Sequence, residues 1–418
     1  MKIKRVHVRN FKSFRELDLE LGNLNVIIGA NASGKSNFVQ IFKFLRDIEQ
    51  NDLRNAVSMN GGIGSLCNIQ KCDEKLSIRF CCTDFFEVRS RKGTLNILET
   101  DAFFSLVSDS SATEGYRIED NEYSQHIEID NPRESQRQKE DWFCLPKEKK
   151  GILTFRSKKP YLEVNPESFK KALEEIRFFP PDELFEIISK RLVKDQMRLL
   201  FQDPLPFLPI RAGLFRNIGI YNFAPHLAKN PVPIAGRAEL EEDGKNLALI
   251  LHNIREGEEK DKLNNLLNSL LSFAVEADTE KFAEKSLMVS LREKYYQRPL
   301  RADMISDGTL EVMALLIALY FERKEIIILE EPEKNLHPHL VGGLAEMFKE
   351  VSKKKQIIVT THSPQLVKYV GVENLLLVSR NEEGFSEITR PADKEGVQTF
   401  LKNEIGLDEL FIQDLLTT

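Results

Sequence analysis

The sequence has no long apolar run, no internal repeat and no sustained heptad pattern, and these absences exclude several classes of protein. No stretch of about 18 uncharged apolar residues occurs, so we expect no membrane-spanning helix and no membrane partner. Without sustained heptads, a long coiled coil is not expected. The start, MKIKRVHVRNFKSF, alternates apolar and polar residues and lacks the apolar centre of a signal peptide, which predicts a cytoplasmic protein.

Cysteine is also scarce, with five in 418 residues. The number is odd, and the spacing matches no zinc-binding pattern. We interpret them as reduced structural thiols, with a metal site as the alternative. The five are Cys67, Cys72, Cys81, Cys82 and Cys144.

The chain has no strong excess of either charge, because its formal net charge is only −6. Overall charge therefore indicates no particular partner. The first fifteen residues nevertheless contain six Lys or Arg and no acid, so a local nucleic-acid contact remains open. The length favours two lobes, or one domain with a large insertion.

The first half of the chain predicts an α/β start followed by antiparallel strands. KRVHVRNF, ELDLEL and LNVIIG are typical of strands, and NFVQIFKFLRDI has apolar residues at helical spacing. Further predictions are a loop over 51–66, a meander of short strands over 75–130, an exposed polar loop over 131–160, helices over 166–200, and two antiparallel helices over 238–273 that turn at Gly257.

The last third predicts buried elements. Residues 310–321 are apolar almost all round, and EIIILEEPE and QIIVTTHSP are typical of buried parallel strands with polar carboxyl ends. LLLVSR predicts a further strand, and a C-terminal helix is expected from KEGVQTFLKNEIGLDELFIQDLL. We therefore predict an α/β core with segments 1–130 (first core part and meander), 131–235 (polar loop and helical insertion), 236–300 (helical hairpin) and 301–418 (second core part).

The stretch NVIIGANASGKSNF fits a phosphate-binding P-loop, because Gly29 and Gly34–Lys35–Ser36 have its spacing. Glycines allow the backbone to approach a phosphate, and the following helix turns its positive end toward the anion. Lys35 would add a charge at the β- and γ-phosphates, and the Ser36 hydroxyl would ligate Mg²⁺. The alternative is a chance loop of glycine, lysine and serine.

Two acids end the strand IIILEEPE. Glu330 is predicted to associate with Mg²⁺, and Glu331 is predicted to act as a general base toward water. Alternation along the strand would point the two carboxylates differently. The alternative is a charged strand end that faces solvent.

His362 follows the buried strand IIVTT, and we predict that it hydrogen-bonds the γ-phosphate. A lone histidine would more often be structural. Its position about thirty residues after the acidic strand favours a functional role.

GANASGKSN, IIILEEPE, NLHP and TTHSP, in this order, together resemble the ABC-type ATPases of the RecF/SMC/OLD group, and most closely stand-alone OLD-like AAA proteins of prokaryotes. The resemblance covers residues 1–50 and 236–380. It implies an ABC-ATPase P-loop core that uses ATP and Mg²⁺. The nucleotide contacts that it implies are Lys12, Ser13, Asn31, Ala32, Ser33, Gly34, Lys35, Ser36 and Asn37.

The resemblance also implies a signature motif before the buried helix. Ser306, Asp307, Gly308 and Thr309 stand at that position, and in ABC ATPases this segment completes the nucleotide site of the opposing subunit. For Lys12 and Ser13, a surface turn is the alternative to a nucleotide contact. Gln70 is a weak candidate for the Q-loop glutamine.

The resemblance predicts a head-to-tail homodimer, or a higher oligomer, that closes on ATP. Only 56 residues follow His362, too few for the nuclease domain of OLD proteins, so cutting is expected from a partner. Three hypotheses remain. The first is an ATP-switched regulator of an effector nuclease or toxin in phage defence, the second is a RecF-like DNA-repair ATPase, and the third is an ATP-binding structural protein without turnover.

Overall fold

The computed structural model describes residues 1–71, 73–89, 94–130, 150–156, 163–165, 214–237, 239–254, 258–397, 406–413 and 415–417. Within these residues the chain divides into two compact units. Unit 1 contains Met1–Leu21, Asn37–Arg216 and Arg380–Glu387, and unit 2 contains Gly22–Ser36, Asn217–Ser379 and Ile388–Thr418. The division into four segments made from the sequence stays a prediction.

Runs of consecutive strands dominate the first half of the chain, and strands alternate with helices over residues 326–380. The strands are β1 Lys2–Phe11, β2 Phe14–Glu20, β3 Leu24–Ile28, β4 Leu76–Arg89, β5 Thr94–Ser108, β6 Tyr116–Asp130, β7 Lys150–Arg156, β8 Glu163–Asn165, β9 Ile218–Tyr221, β10 Val232–Pro233, β11 Ala274–Phe282, β12 Ser286–Glu293, β13 Leu300–Arg301, β14 Ile326–Glu330, β15 Gln356–Thr360, β16 Leu375–Arg380 and β17 Ser386–Thr389. The described α-helices are α1 Lys35–Met59, α2 Ile63–Leu66, α3 Pro225–Ala228, α4 Leu247–Ile254, α5 Glu258–Leu270, α6 Asp307–Tyr320, α7 Pro338–Ser352, α8 Pro364–Val370 and α9 Leu407–Ile412.

Unit 1 is built on an antiparallel sheet in the order β2-β1-β4-β5-β6-β7-β8. The predicted meander is confirmed, although three long strands replace several short ones. The pairing of β4 with β5 shifts register between Thr83 and Phe86, and β4 continues through this shift as one long strand. The predicted polar loop over 131–160 is wrong for residues 150–156, which form β7, and the helices expected over 166–200 lie outside the described residues.

Helix α1 follows the P-loop motif as predicted, and its apolar face is buried. The loop expected over 51–66 is wrong for most of its residues, because a second helical stretch follows a break at Asp52 and runs to Met59, and α2 spans Ile63–Leu66. Leu53, Ala56 and Val57 are buried, and this packing outweighs the weak helix propensity of the Asn- and Asp-rich sequence. Asp52 interrupts the helix, with φ at 71°.

Unit 2 is built on a six-stranded sheet in the order β17-β16-β3-β15-β14-β9. The central pairs β16–β3, β3–β15, β15–β14 and β14–β9 are parallel, as the apolar runs predicted. Glu330 pairs with Thr360, and Thr360 pairs with Ile27. This register brings the carboxyl ends of β14, β15 and β3 to one edge of the sheet.

Helix α6 is buried on almost every side, as its apolar sequence predicted. Helices α4 and α5 are also confirmed, while their turn at Gly257 lies outside the described residues. The antiparallel hairpin of β11 and β12 was not predicted, because the segment 236–300 was expected to be a helical hairpin. The single C-terminal helix is wrong, because Gly406 is extended and α9 begins only after it.

Three cysteines fall within the described residues. Cys67, Cys81 and Cys82 take part in no disulfide bond within the described residues, which agrees with the expectation of reduced thiols. Burial raises the pKa of the Cys81 thiol to about 12, so it is a poor nucleophile. Cys72 and Cys144 lie outside the described residues. Among the helices that are described, none is both long and apolar enough to span a bilayer.

Candidate functional site

The loop after β3 has a backbone that its glycines make possible. Gly29 has φ of 153°, and a Cβ there would lie 2.2 Å from the Val378 carbonyl oxygen of β16 and 2.9 Å from Ser33 Oγ. Gly34 has φ of 121°. A side chain at Gly29 would therefore collide with the neighbouring strand, which supports the P-loop interpretation over a chance glycine.

The middle of the loop presents backbone to solvent. Asn31, Ala32 and Ser36 are exposed, while Ser33 is buried. Ala32 adopts the left-handed region with φ of 60°. A left-handed residue in a loop allows successive N–H groups to turn toward one side, as in the anion-binding loops that precede helices.

The Lys35 side chain folds back onto the loop and bonds its backbone. Its Nζ donates to the carbonyl oxygens of Gly29, at 2.8 Å, and Ala30, at 2.9 Å. The side chain is buried, and burial lowers the pKa of the ammonium group, while the carboxylate of Glu331 acts in the opposite direction. A buried cation is therefore held at the mouth of the loop, where phosphate oxygens would replace its carbonyl partners.

The backbone of Glu331 is fixed by a hydrogen bond and has a left-handed conformation. Its amide donates to the Thr360 carbonyl of β15 at 2.9 Å, and its φ is 46°. A left-handed glutamate costs about 1–2 kcal/mol, and such strain is concentrated at functional sites. The strain turns the chain immediately after Glu330, the last residue of β14, so the two adjacent acids leave the strand in different directions.

His362 joins the ends of two strands to the P-loop. Its Nε2 lies 3.0 Å from Glu331 Oε1, and its Nδ1 lies 3.5 Å from Lys35 Nζ. Burial and the nearby Lys35 ammonium lower the pKa of the imidazole, so it is neutral at pH 7. The tautomer protonated on Nε2 satisfies both neighbours, because it donates to Glu331 and accepts from Lys35.

The predicted signature residues form the start of α6. Ser306 caps the helix by accepting from the Thr309 amide at 3.2 Å, and Asp307 pairs with Lys229 Nζ at 2.6 Å. A Cβ on Gly308 would lie 2.6 Å from the Asn335 carbonyl oxygen. Ser306 and Asp307 are exposed, as a contact with a second subunit requires.

Two acids near these motifs, one buried and one half-buried, were not singled out from the sequence. Glu311 is 2% exposed and accepts from Asn335 Nδ2 at 3.1 Å, and burial raises the pKa of its carboxyl to about 7. Glu333 accepts from the Thr361 hydroxyl. The only sequence signal was an acid in each of two motifs, SDGTLE and EEPE.

Residues Lys12 and Ser13 form the turn between β1 and β2 in unit 1. The Ser13 hydroxyl accepts from Asn37 Nδ2 at 2.8 Å and contacts Ser386 Oγ at 2.8 Å. Burial lowers the pKa of the Lys12 ammonium group. Their contact with a nucleotide stays a prediction.

The same holds for Gln70. Its side chain is exposed in unit 1, and its amide donates to Asn68 Oδ1 at 2.9 Å.

The donor set fits magnesium bound together with a phosphate. Within the described ranges, no cluster of three or more His, Cys, Asp or Glu side chains is arranged to hold a metal ion by itself. Mg²⁺ commonly takes one or two protein oxygens and completes its shell with water and substrate phosphates. Ser36 at the start of α1 and Glu330 at the end of β14 are oxygen donors of this kind.

Two family models match most of the chain. Residues 1–196 match the family described as "AAA ATPase domain". Residues 210–368 match a second family described as an AAA domain, with a Type IV TA system in the same description. The second range contains the signature, both acids and His362.

Curated relatives match over short segments. Endonuclease GajA of Bacillus cereus is 41% identical over 49 residues, 12% of this chain and 8% of the relative. Septu protein PtuA of Bacillus thuringiensis is 29% identical over 90 residues, 20% of this chain and 23% of the relative. An uncharacterized protein of Methanocaldococcus jannaschii is 27% identical over 94 residues, 22% of this chain and 24% of the relative. The chain thus spans about a quarter or less of the length of these relatives.

Solved structures match over more of the chain but at low identity. An SMC head bound to the C-winged helix domain of ScpA covers 93% of this chain and 98% of its own, with a TM-score of 0.46 and 13% identity. The SMC head domain from Thermotoga maritima also covers 93% of this chain and 99% of its own, with a TM-score of 0.38 and 12% identity.

Proposed function

We propose that this chain, an ABC-type ATPase of the OLD-like and SMC-like group, binds and hydrolyses Mg·ATP in the cytoplasm and works as a switch that closes head to tail with a second copy. One observation carries the proposal. His362 contacts both Lys35 of the P-loop and Glu331 after β14, so three distant motifs meet at one edge of the sheet.

Each of these groups has a chemical task. Lys35 and the loop amides bind the phosphates, and Mg²⁺ held by Ser36 and Glu330 would neutralise the charge that develops on the phosphate oxygens. The oxygen of the attacking water bonds to the γ-phosphorus, and Glu331 accepts a proton from that water. The bond between the γ-phosphorus and the oxygen that bridges to the β-phosphate breaks. ADP and phosphate are the products. His362 orients Glu331 and contacts the γ-phosphate.

The need for a second subunit is inferred from the signature residues. Ser306 and Asp307 stand exposed at the start of α6, and a helix start offers N–H groups to a phosphate. In a symmetric dimer each signature would complete the partner's P-loop. ATP would then hold the two copies together, and hydrolysis would release them.

Glu331→Gln tests the switch. Removing the base should slow hydrolysis by about 10²–10⁴-fold and leave binding intact, so the variant should accumulate as a dimer with Mg·ATP. Glu346→Gln, an exposed change on α7, is the control. Light scattering after gel filtration measures the mass, and an unchanged monomer with and without ATP would contradict the proposal.

Mixing two inactive variants tests the head-to-tail arrangement. Lys35→Met disables the P-loop and Ser306→Arg disables the signature, so neither variant alone should hydrolyse ATP. Random pairing of equal amounts restores one intact site in half of the dimers, about a quarter of wild-type activity. Activity that stays absent in the mixture would exclude composite sites.

The partner that we propose is a separate effector, a nuclease or toxin in phage defence. A Type IV TA system in one family description and an endonuclease among the relatives support this class. Co-purification from the native operon with and without ATP would test it. Recovery of the chain alone under both conditions would count against an effector.

RecF-like DNA binding is the alternative function. The feature that favoured it was the excess of Lys and Arg in the first fifteen residues. In the structure, cations of the first strand, β1, lie close to acids on other strands of the same sheet. Arg5 pairs with Asp18, and Lys4 lies 3.7 Å from Glu99. This neutralisation favours the effector switch. DNA affinity that falls steeply with salt would reverse that preference.

A further inference from the structure

The turn that carries His362 is tied to the turn after β14 by Glu333. The Oε1 atom of Glu333 accepts a hydrogen bond from the Thr361 hydroxyl and another from the His362 amide, at 3.4 Å. Regular pairing of the two strands ends at Glu330 and Thr360. Glu333 therefore continues the connection between the strands beyond the sheet, where the functional side chains begin.

The hydroxyl of Thr361 extends this connection to the next helix. Thr361 is fully buried, and its Oγ1 accepts from the Ser363 amide at 2.9 Å. Ser363 in turn caps α8 by accepting from the Leu366 amide at 3.3 Å. Each residue from 361 to 363 is thus fixed by a polar contact, and the histidine is in the middle.

Glu333 occupies this position at an energetic cost. Burial raises the pKa of its carboxyl, and among the described residues its buried Oε2 has no hydrogen-bond partner. A buried carboxylate oxygen without a hydrogen-bond partner destabilises the folded protein. Buried polar atoms without hydrogen-bond partners are uncommon in folded proteins, and they are often found at functional sites.

We propose that Glu333 is a positioning residue that, through the Thr361 hydroxyl, holds the His362 imidazole between Lys35 and Glu331. The catalytic consequence rests on the proposed ATPase function, whereas the positioning itself does not. A displacement of about 1 Å at a reacting group can cost about 10²-fold in rate. Loss of the hydroxyl should therefore lower kcat and leave ATP binding by the P-loop largely intact.

Substitutions at Thr361 separate the hydroxyl from the shape. Thr361→Val keeps the volume and removes the hydroxyl, and we expect kcat to fall about 10- to 100-fold while KM for ATP changes less than about threefold. Thr361→Ser keeps the hydroxyl and should restore kcat. Thr100→Val is the matched control, because Thr100 is also fully buried and lies in unit 1.

A structural readout makes the positioning testable without turnover. The imidazole Hε1 signal of His362, assigned with His362→Gln, should shift and broaden in Thr361→Val and stay at the wild-type position in Thr361→Ser and Thr100→Val. Glu333→Ala removes the acceptor from the other side and should change kcat and the signal in the same way. The double variant Glu333→Ala with Thr361→Val should be no worse than either single variant.

Two results would overturn the proposal. One is a wild-type imidazole signal and wild-type kcat in Thr361→Val or Glu333→Ala, and the other is full additivity in the double variant. If wild-type protein does not hydrolyse ATP, the proposed function fails, and the imidazole signals alone still decide whether Glu333 positions His362.

Discussion

Replacing Glu311 by glutamine should make the stability of the protein less dependent on pH. Glu311 lies on α6, is 2% exposed and accepts a hydrogen bond from Asn335 Nδ2. Burial raises the pKa of its carboxyl from an ordinary 4.5 to about 7. Glutamine has the same shape, retains an oxygen that can accept from Asn335, and never ionises.

The size of the effect follows from this difference in pKa between the unfolded and folded states. Below pH 4.5 the carboxyl is neutral in both states and costs nothing. As the pH rises, the unfolded chain releases its proton first, so stability falls until the folded carboxyl has also ionised near pH 7. At about 1.4 kcal/mol per pKa unit, the full loss is about 3 kcal/mol.

Urea unfolding at pH 5 and pH 8 measures this effect. Glu311→Gln should be more stable than wild type by about 1 kcal/mol at pH 5 and by about 3 kcal/mol at pH 8. Glu346→Gln, whose parent side chain is 71% exposed, should show no such change with pH. An equal difference between Glu311→Gln and wild type at both pH values would refute the reasoning.

Two further predictions concern the P-loop. Lys35→Met removes the ammonium that bonds two loop carbonyls, and ATP affinity measured by calorimetry should fall about 10- to 150-fold. Unchanged affinity would contradict the assignment. Gly29→Ala places a Cβ 2.2 Å from the Val378 carbonyl oxygen, so we expect at least about 2 kcal/mol of destabilisation in urea and loss of ATP binding. Gly64→Ala is the control, because a Cβ there meets nothing within 4 Å, and equal effects at both glycines would show that the contact is unimportant.

The sequence predicts the parallel core well because its strands are buried on both faces. Such strands are continuous apolar runs, as in IIILE and QIIVT, and these differ from any surface pattern. Prediction failed where tertiary packing decides between local alternatives. Leu53 and Ala56 are buried by a second helical stretch after the break at Asp52, within a polar sequence, and β11 pairs with β12 although its own exposure pattern is irregular.

For the site, the motifs predicted which residues meet but not how they are held. The Lys35–His362–Glu331 arrangement follows from the strand order β3-β15-β14, which differs from the order of the motifs along the chain. The left-handed backbone of Glu331 depends on the Thr360 carbonyl, and the partner of Glu333 depends on strand register. Neither the Glu331 conformation nor the Glu333 hydrogen bond can be predicted from a local sequence, because each depends on residues about thirty positions away.

The position of β3 has a consequence for how the protein is made. This early strand lies between β15 and β16, which begin at Gln356 and Leu375. A ribosome adds about 5–20 residues per second, so the phosphate loop leaves the exit tunnel roughly 15 to 70 seconds before both of its neighbours exist. A nascent chain stalled in that interval would carry the whole GANASGKS motif with no sheet to support it. Nucleotide binding would thus report that synthesis has passed Leu375.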